Sequence, residues 1–171
     1  MIFTFAVLNS KTLNPEDNSH LQWAKQNEEE IKRNFRKWNK TKPRNLDDRF
    51  HAEHEQVFKK MDCLTCANCC KTTSPIFRDA DIRRISKHLK IKETQFISNF
   101  LKIDEDQDYV LKSSPCYFLG EDNYCNIYEV RPLACREYPH TDRKNMVQIL
   151  DLTLQNTKIC PAVSRIVQKL I

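Results

Sequence analysis

Apolar positions recur at helical spacing along much of the chain. Leu21, Ala24, Ile31, Phe35 and Trp38 fall near one face of a 3.6-residue period, which predicts a first helix over about 19–40, capped at Asn18-Ser19. The opposite face carries Glu28, Glu29, Glu30, Lys32, Arg33, Arg36 and Lys37, the mixed charge of a solvated surface. Thr41-Lys42-Pro43-Arg44 interrupts the pattern, because proline disfavours helix in the residue before it. A second helix is expected from about Asn45, with Leu46, Phe50, Val57, Phe58 and Met61 at helical spacing. Asp47 and Asp48 in its first turn and Lys59 and Lys60 in its last complement the helix dipole.

Further on, Asp79 is placed to cap a helix through Ile82, Ile85 and Leu89, and Phe96, Ile97, Phe100 and Leu101 form the apolar face of another short helix. Tyr109-Val110-Leu111-Lys112 and Cys116-Tyr117-Phe118-Leu119 read as two short strands, with Gly120-Glu121-Asp122-Asn123 as the turn leading to Tyr124-Cys125. Such a hairpin presents Cys116 and Cys125 from neighbouring strands. The stretch 146–152 suits strand or helix, and Val163, Ile166, Val167 and Leu170 define a closing helix after Cys160-Pro161. The expected fold class is mainly α with a small β-hairpin (α+β). The expected organisation is a tail over 1–18, disordered or loosely docked, a helical extension over 19–60, and a metal-stapled cysteine-cluster domain over 61–171.

Composition narrows the chemistry. The 171 residues include one glycine, Gly120, so neither of the glycine-rich phosphate loops GxGxxG and GxxxxGK[ST] can be built. A net charge of +5, with acids and bases interspersed, argues only weakly for nucleic acid. Met1 to Leu8 is apolar but lacks a basic flank and a small-residue cleavage site, and it is short of the roughly 20 residues that span a bilayer. It reads as part of the tail or as an upstream extension of the true start. The expectation is a cytoplasmic chain with no membrane partner. The acidic stretch from Asp104 to Asp108 resembles the start of a calcium loop, but Tyr109 stands where glycine is needed and Pro115 where the closing glutamate is needed.

The cysteines change the picture most. Four of the eight, Cys63, Cys66, Cys69 and Cys70, lie within eight consecutive positions, and Cys116, Cys125, Cys135 and Cys160 follow singly. A Cys-x2-Cys-x2-Cys-Cys run lets sulfurs converge on a metal, whereas disulfides suit an oxidising compartment that this chain shows no signal for reaching. The adjacent Cys69 and Cys70 do not easily bond to each other. Eight sulfurs make two four-sulfur sites or one larger cluster. Soft thiolates select zinc or iron, and the triple Cys63, Cys66, Cys69 with a remote Cys160-Pro161 tilts the reading toward an iron–sulfur cluster. Bound thiolates leave excess negative charge, which Lys71, Arg131 and Arg136 are placed to offset from around the ligands. His51 and His54, three apart on the second helix, are expected to be ordinary histidines.

The run, together with Tyr128-x2-Arg131-Pro132-x2-Cys135-Arg136-x-Tyr138-Pro139 and the late Cys160-Pro161, resembles the YkgJ-type cysteine-cluster family of zinc- or iron-chelating domains over roughly 60–165. The resemblance implies that all eight cysteines are metal ligands. It does not carry a reaction: flagellin lysine methylases contain a related cysteine-cluster region, but no glycine-rich methyl-donor loop is present here. Four functions therefore stand beside one another, the last of them storage or delivery of metal. One is a metal-binding protein held together by its cluster. A second is a metal-dependent enzyme using a residue such as Tyr138 or His140. The third is an interaction module working through the first helix.

Overall fold

The structure is a computed structural model and describes residues 13–171. The expected tail lies outside the described residues as far as residue 12.

The first helix is two helices. Asn14 caps α1 (Pro15–Gln26): its Oδ1 accepts the Asp17 amide at 2.7 Å, and Pro15 occupies the first turn, where its missing N–H costs nothing. The helix therefore starts four residues before Ser19. It stops at Asn27, whose side-chain amide and backbone N–H both donate to the Trp23 carbonyl at 2.9 and 3.0 Å. Three glutamates then open α2 (Glu28–Thr41), which ends at Lys42 in the left-handed conformation. Charge on its outer face is paired locally, Lys32 with Glu28 at 2.9 Å and with Glu29 at 2.8 Å.

Helix α3 (Leu46–Phe58) follows, and two short helices, α4 (Cys63–Cys66) and α5 (Asn68–Thr72), carry the cysteine run. Then come α6 (Asp79–Leu89), α7 (Glu93–Phe100) and an antiparallel pair, β1 (Leu101–Ile103) and β2 (Tyr109–Leu111), with Leu101 opposite Leu111 and Ile103 opposite Tyr109. The hairpin exists, but the partner of Tyr109–Leu111 is the segment before it. The acidic turn explains the choice: Asp104 Oδ1 accepts the amides of Asp106 and Asp108, closing a tight reversal that pairs β1 with β2. Cys116 to Leu119 is left with one bridge, between Leu119 and Cys125, around the turn at Gly120.

A 3-10 turn (Tyr128–Val130), α8 (Leu133–Glu137), a second 3-10 turn (Met146–Ile149), α9 (Leu150–Thr157) and α10 (Pro161–Leu170) complete the chain. Asp47 of α3 accepts the amides of Asn145 and Met146 at 2.7 and 2.8 Å, which fixes the ambiguous 146–152 stretch as helical.

Two hydrophobic cores result. One joins α1, α2 and α3 to α9 and α10 through Ile31, Phe35, Phe50, Leu150, Val163 and Ile166. The other joins α6, α7 and the hairpin through Ile82, Ile85, Phe96, Leu111 and Phe118. Each such fully buried side chain contributes about 1.5–3 kcal/mol. The cysteine run lies in the chain between the two. Among the described residues no helix is long and apolar enough to cross a membrane.

Candidate metal centre

The run is shaped by its own short helices. Asp62 starts α4 by accepting the Leu64 amide at 2.9 Å. Ala67, with φ 49°, stops it in the left-handed conformation, and α5 begins at the next residue. An alanine there costs roughly 1–2 kcal/mol. The kink separates the turn that bears Cys63 and Cys66 from the turn that bears Cys69 and Cys70. The remaining cysteines are brought to this point by hydrogen bonds. Asn68 Nδ2 donates to the Ile159 carbonyl at 2.6 Å, beside Cys160. The Cys116 amide donates to the Cys70 carbonyl at 2.8 Å, and the Asn126 amide to Phe118 across the Leu119–Cys125 bridge. Buried Asp81 of α6 accepts the Leu133 amide at 3.1 Å and so seats α8, which carries Cys135.

All eight predicted ligands are free thiols, and their sulfurs influence one another. Cys69 and Cys70 have their sulfurs 4.0 Å apart and share a proton, which raises Cys69 and lowers Cys70. Burial is the larger cause elsewhere. It pushes Cys160 up to about 12, with Cys63 and Cys66 adding to the effect. Cys135 rises to about 12 under burial and then the charges of Cys70, Cys116 and Cys125. Cys116 rises to about 11 by burial, with Cys70 and Cys125 behind it. Cys63 is exposed as a residue, yet its thiol is pushed up to about 11 by its surroundings and then by Cys66.

Backbone amides oppose these rises. The Cys66 sulfur takes a hydrogen bond from the Asn68 amide, Cys125 from Ile127, Cys116 from Phe118 and Leu119, and Cys160 from Ala162 and Val163. Each donor lies two or three residues downstream of its cysteine. Hydrogen bonds of this kind favour the thiolate, the form that binds metal. They have no signature in side-chain types, which is why the sequence did not disclose them.

The three predicted cations are placed differently. Lys71 donates to the Cys66 carbonyl at 3.2 Å, adds to the lowering of Cys70 that Cys69 begins, and opposes the burial that raises Cys66. Arg131 opposes the rise at Cys125 and Cys135; its guanidinium lies 3.7 Å from the centre of the Tyr128 ring and donates to the Tyr128 carbonyl. Arg136 instead lines an open cavity of about 700 Å³ with His54, Tyr138 and His140. His51 Nε2 donates to the Arg143 carbonyl and His54 Nδ1 bonds the Thr141 hydroxyl, so both histidines fasten the 141–143 loop.

Tyr138 tests the fit of a metal. Its hydroxyl is buried with no oxygen or nitrogen partner, and it is within interaction reach of the Cys160 thiol, with Cys69 and Cys63 also nearby. A buried phenol O–H normally has an acceptor, and a neighbouring thiolate is one. With eight thiols as the donor set and amides aimed at five of them, the residues suit a thiophilic ion. Among the described residues, no three Cys, His, Asp or Glu side chains already stand in coordinating geometry. Residues 62–161 match the family model CxxCxxCC, described as "putative zinc- or iron-chelating domain". No curated protein and no solved structure matches the chain.

Proposed function

Because the chain belongs to the CxxCxxCC family of zinc- or iron-chelating domains, we propose that its eight cysteines, Cys63, Cys66, Cys69, Cys70, Cys116, Cys125, Cys135 and Cys160, hold zinc or iron as a structural centre. The observation that carries this reading is the set of backbone amides aimed at Cys66, Cys116, Cys125 and Cys160. Those amides favour the thiolate form that a metal requires and oppose the burial that raises each thiol. Lys71 and Arg131 offset the charge that remains. Thiolates in fours suit zinc and iron–sulfur clusters alike, and the Cys63, Cys66, Cys69 triple supports iron in cluster form. A bound ion supplies cross-links between segments that otherwise meet through a few hydrogen bonds.

A structural centre and a metal-delivery site differ in what happens on removal, because the affinity of a structural metal is folding energy. Thermal unfolding of the full chain before and after treatment with a strong chelator tests this. A large fall in Tm, reversed by adding back the metal, is expected. An unchanged Tm with the metal gone contradicts the structural role.

An enzymatic second reading rests on the cavity that Arg136, Tyr138 and His140 line, since Tyr138 reaches from it toward Cys160. It requires that a His140→Ala variant keep its metal and its fold while losing turnover of whatever substrate the cavity takes.

A further inference from the structure

We propose that the eight cysteines form two adjoining four-sulfur sites, Cys63, Cys66, Cys69 and Cys160 in one and Cys70, Cys116, Cys125 and Cys135 in the other. This rests on the metal-chelating reading above and adds to it the division of the ligands.

The division begins at the adjacent pair. Cys69 and Cys70 are consecutive in helix α5, and consecutive side chains on a helix point about 100° apart. The two thiols leave the helix in different directions, so each can serve its own centre, and their sulfurs, 4.0 Å apart, mark where the two centres adjoin. Backbone contacts then assign partners to each. Asn68 binds the Ile159 carbonyl, which brings the Cys69 turn against Cys160, and Cys160 is buried in the core formed by α1, α2, α3 and α10. Cys70 is tied through its carbonyl to the Cys116 amide, and Cys116 and Cys125 both pack against the other core. Cys135 reaches the same side because α8 hangs from Asp81 of α6.

Electrostatic neighbours divide in the same way. The cysteine charges that bear on Cys160 are those of Cys63 and Cys66, and Cys160 in turn bears on Cys69. Those that bear on Cys135 are Cys70, Cys116 and Cys125. Cys70 also bears on Cys63, Cys66 and most of all Cys69, so it borders both groups. The first group already has four sulfurs without it, and its own backbone is bonded to Cys116. Both sites include amide-supported cysteines, Cys66 and Cys160 in the first and Cys70, Cys116 and Cys125 in the second. Each core thus carries a metal site on its flank, and the sites meet where α5 passes between them.

Alkylation with N-ethylmaleimide, mapped by mass spectrometry and paired with elemental analysis, tests the division on full-length protein purified without oxygen. Replacing Cys66→Ser together with Cys160→Ser should halve the metal per chain. Cys63 and Cys69 should become reactive while Cys70, Cys116, Cys125 and Cys135 stay protected. Cys116→Ser with Cys125→Ser should give the mirror image. Should loss of buried Cys160 prevent folding, Cys66→Ser with Cys69→Ser empties the same site and is read the same way. If any of these variants loses all metal and exposes every remaining thiol, or if protection crosses the stated division, the two-site arrangement is overturned. Parent protein with no metal and eight reactive thiols is a separate outcome, and it overturns the chelation reading and the division with it.

Discussion

Asn68 donates its side-chain amide to the Ile159 carbonyl at 2.6 Å across 91 residues of chain. This bond joins the start of α5 to the segment that leads into Cys160, and so it closes one side of the cysteine centre. Asn68→Ala leaves a part-buried carbonyl without its donor, which should cost about 1–2 kcal/mol of stability. Denaturant midpoints measure the cost. Chelator-driven metal release from the variant should also be faster than from the parent, and equal release rates would show that the bond plays no part in holding Cys160 in place.

Tyr138 makes a complementary prediction. Its buried hydroxyl lacks an oxygen or nitrogen partner and sits beside Cys160. Tyr138→Phe keeps the ring in the helical core and removes only the donor. Metal affinity should fall by about 10–100-fold, the usual cost of losing a partner behind a ligand. The metal-free chain should lose little stability, since the partner there is a protonated thiol, a weak acceptor. A variant with parental affinity would mean the hydroxyl does not reach the thiolate.

Arg131 and Arg136 flank Cys135 in sequence but not in effect. Burial raises Cys125 and Cys135, and Arg131 opposes that rise and stacks on Tyr128, while Arg136 faces the cavity. Arg131→Ala should therefore speed metal loss several-fold, and Arg136→Ala should leave it near the parent rate. Competition with a chromogenic chelator reads both variants. The opposite order would place the compensating charge on Arg136.

His54 and His140 both sit below the ordinary histidine value because burial disfavours their charged forms, with Asp142 opposing at His54 and Glu137 at His140. A lowered folded-state value means the unfolded chain binds more protons as pH falls through about 6.5. The stability this pair contributes is full above that pH and declines below it, toward the lowered values. A His54→Gln/His140→Gln variant should lose less stability than the parent between pH 7.5 and pH 5.5. Metal-linked acid sensitivity is common to both proteins, so their difference isolates the histidines; parallel pH curves would refute the assignment.

Much of this was readable from the chain. Strong periodicity placed α3, α6, α7 and α10, and the density of Cys63 to Cys70 marked the candidate centre. The misplaced boundaries have local causes. Asn14-Pro15 is a cap-and-first-turn pair that precedes the apolar stripe, so the periodic signal began too late to reveal it. Asn27 ends α1 by bonding back to Trp23, a competition between side chain and helix that Asn can win or lose according to context. Strands of three residues carry almost no alternation, and the hairpin partner was decided by Asp104 closing its own turn. Ala67 gave no warning of a left-handed conformation, which in most chains falls to glycine. The grouping of sulfurs depends on Asn68, Asp81 and a few backbone amides acting over long sequence separations, and these are legible only in three dimensions.

The central claim is that these cysteines hold metal. Elemental analysis with an ultraviolet–visible spectrum, on full-length protein purified without oxygen, tests it most directly. Zinc in a colourless protein, or iron with acid-labile sulfide and a brown absorption near roughly 400 nm, is the predicted result. A colourless chain with eight titratable thiols and neither metal would contradict it.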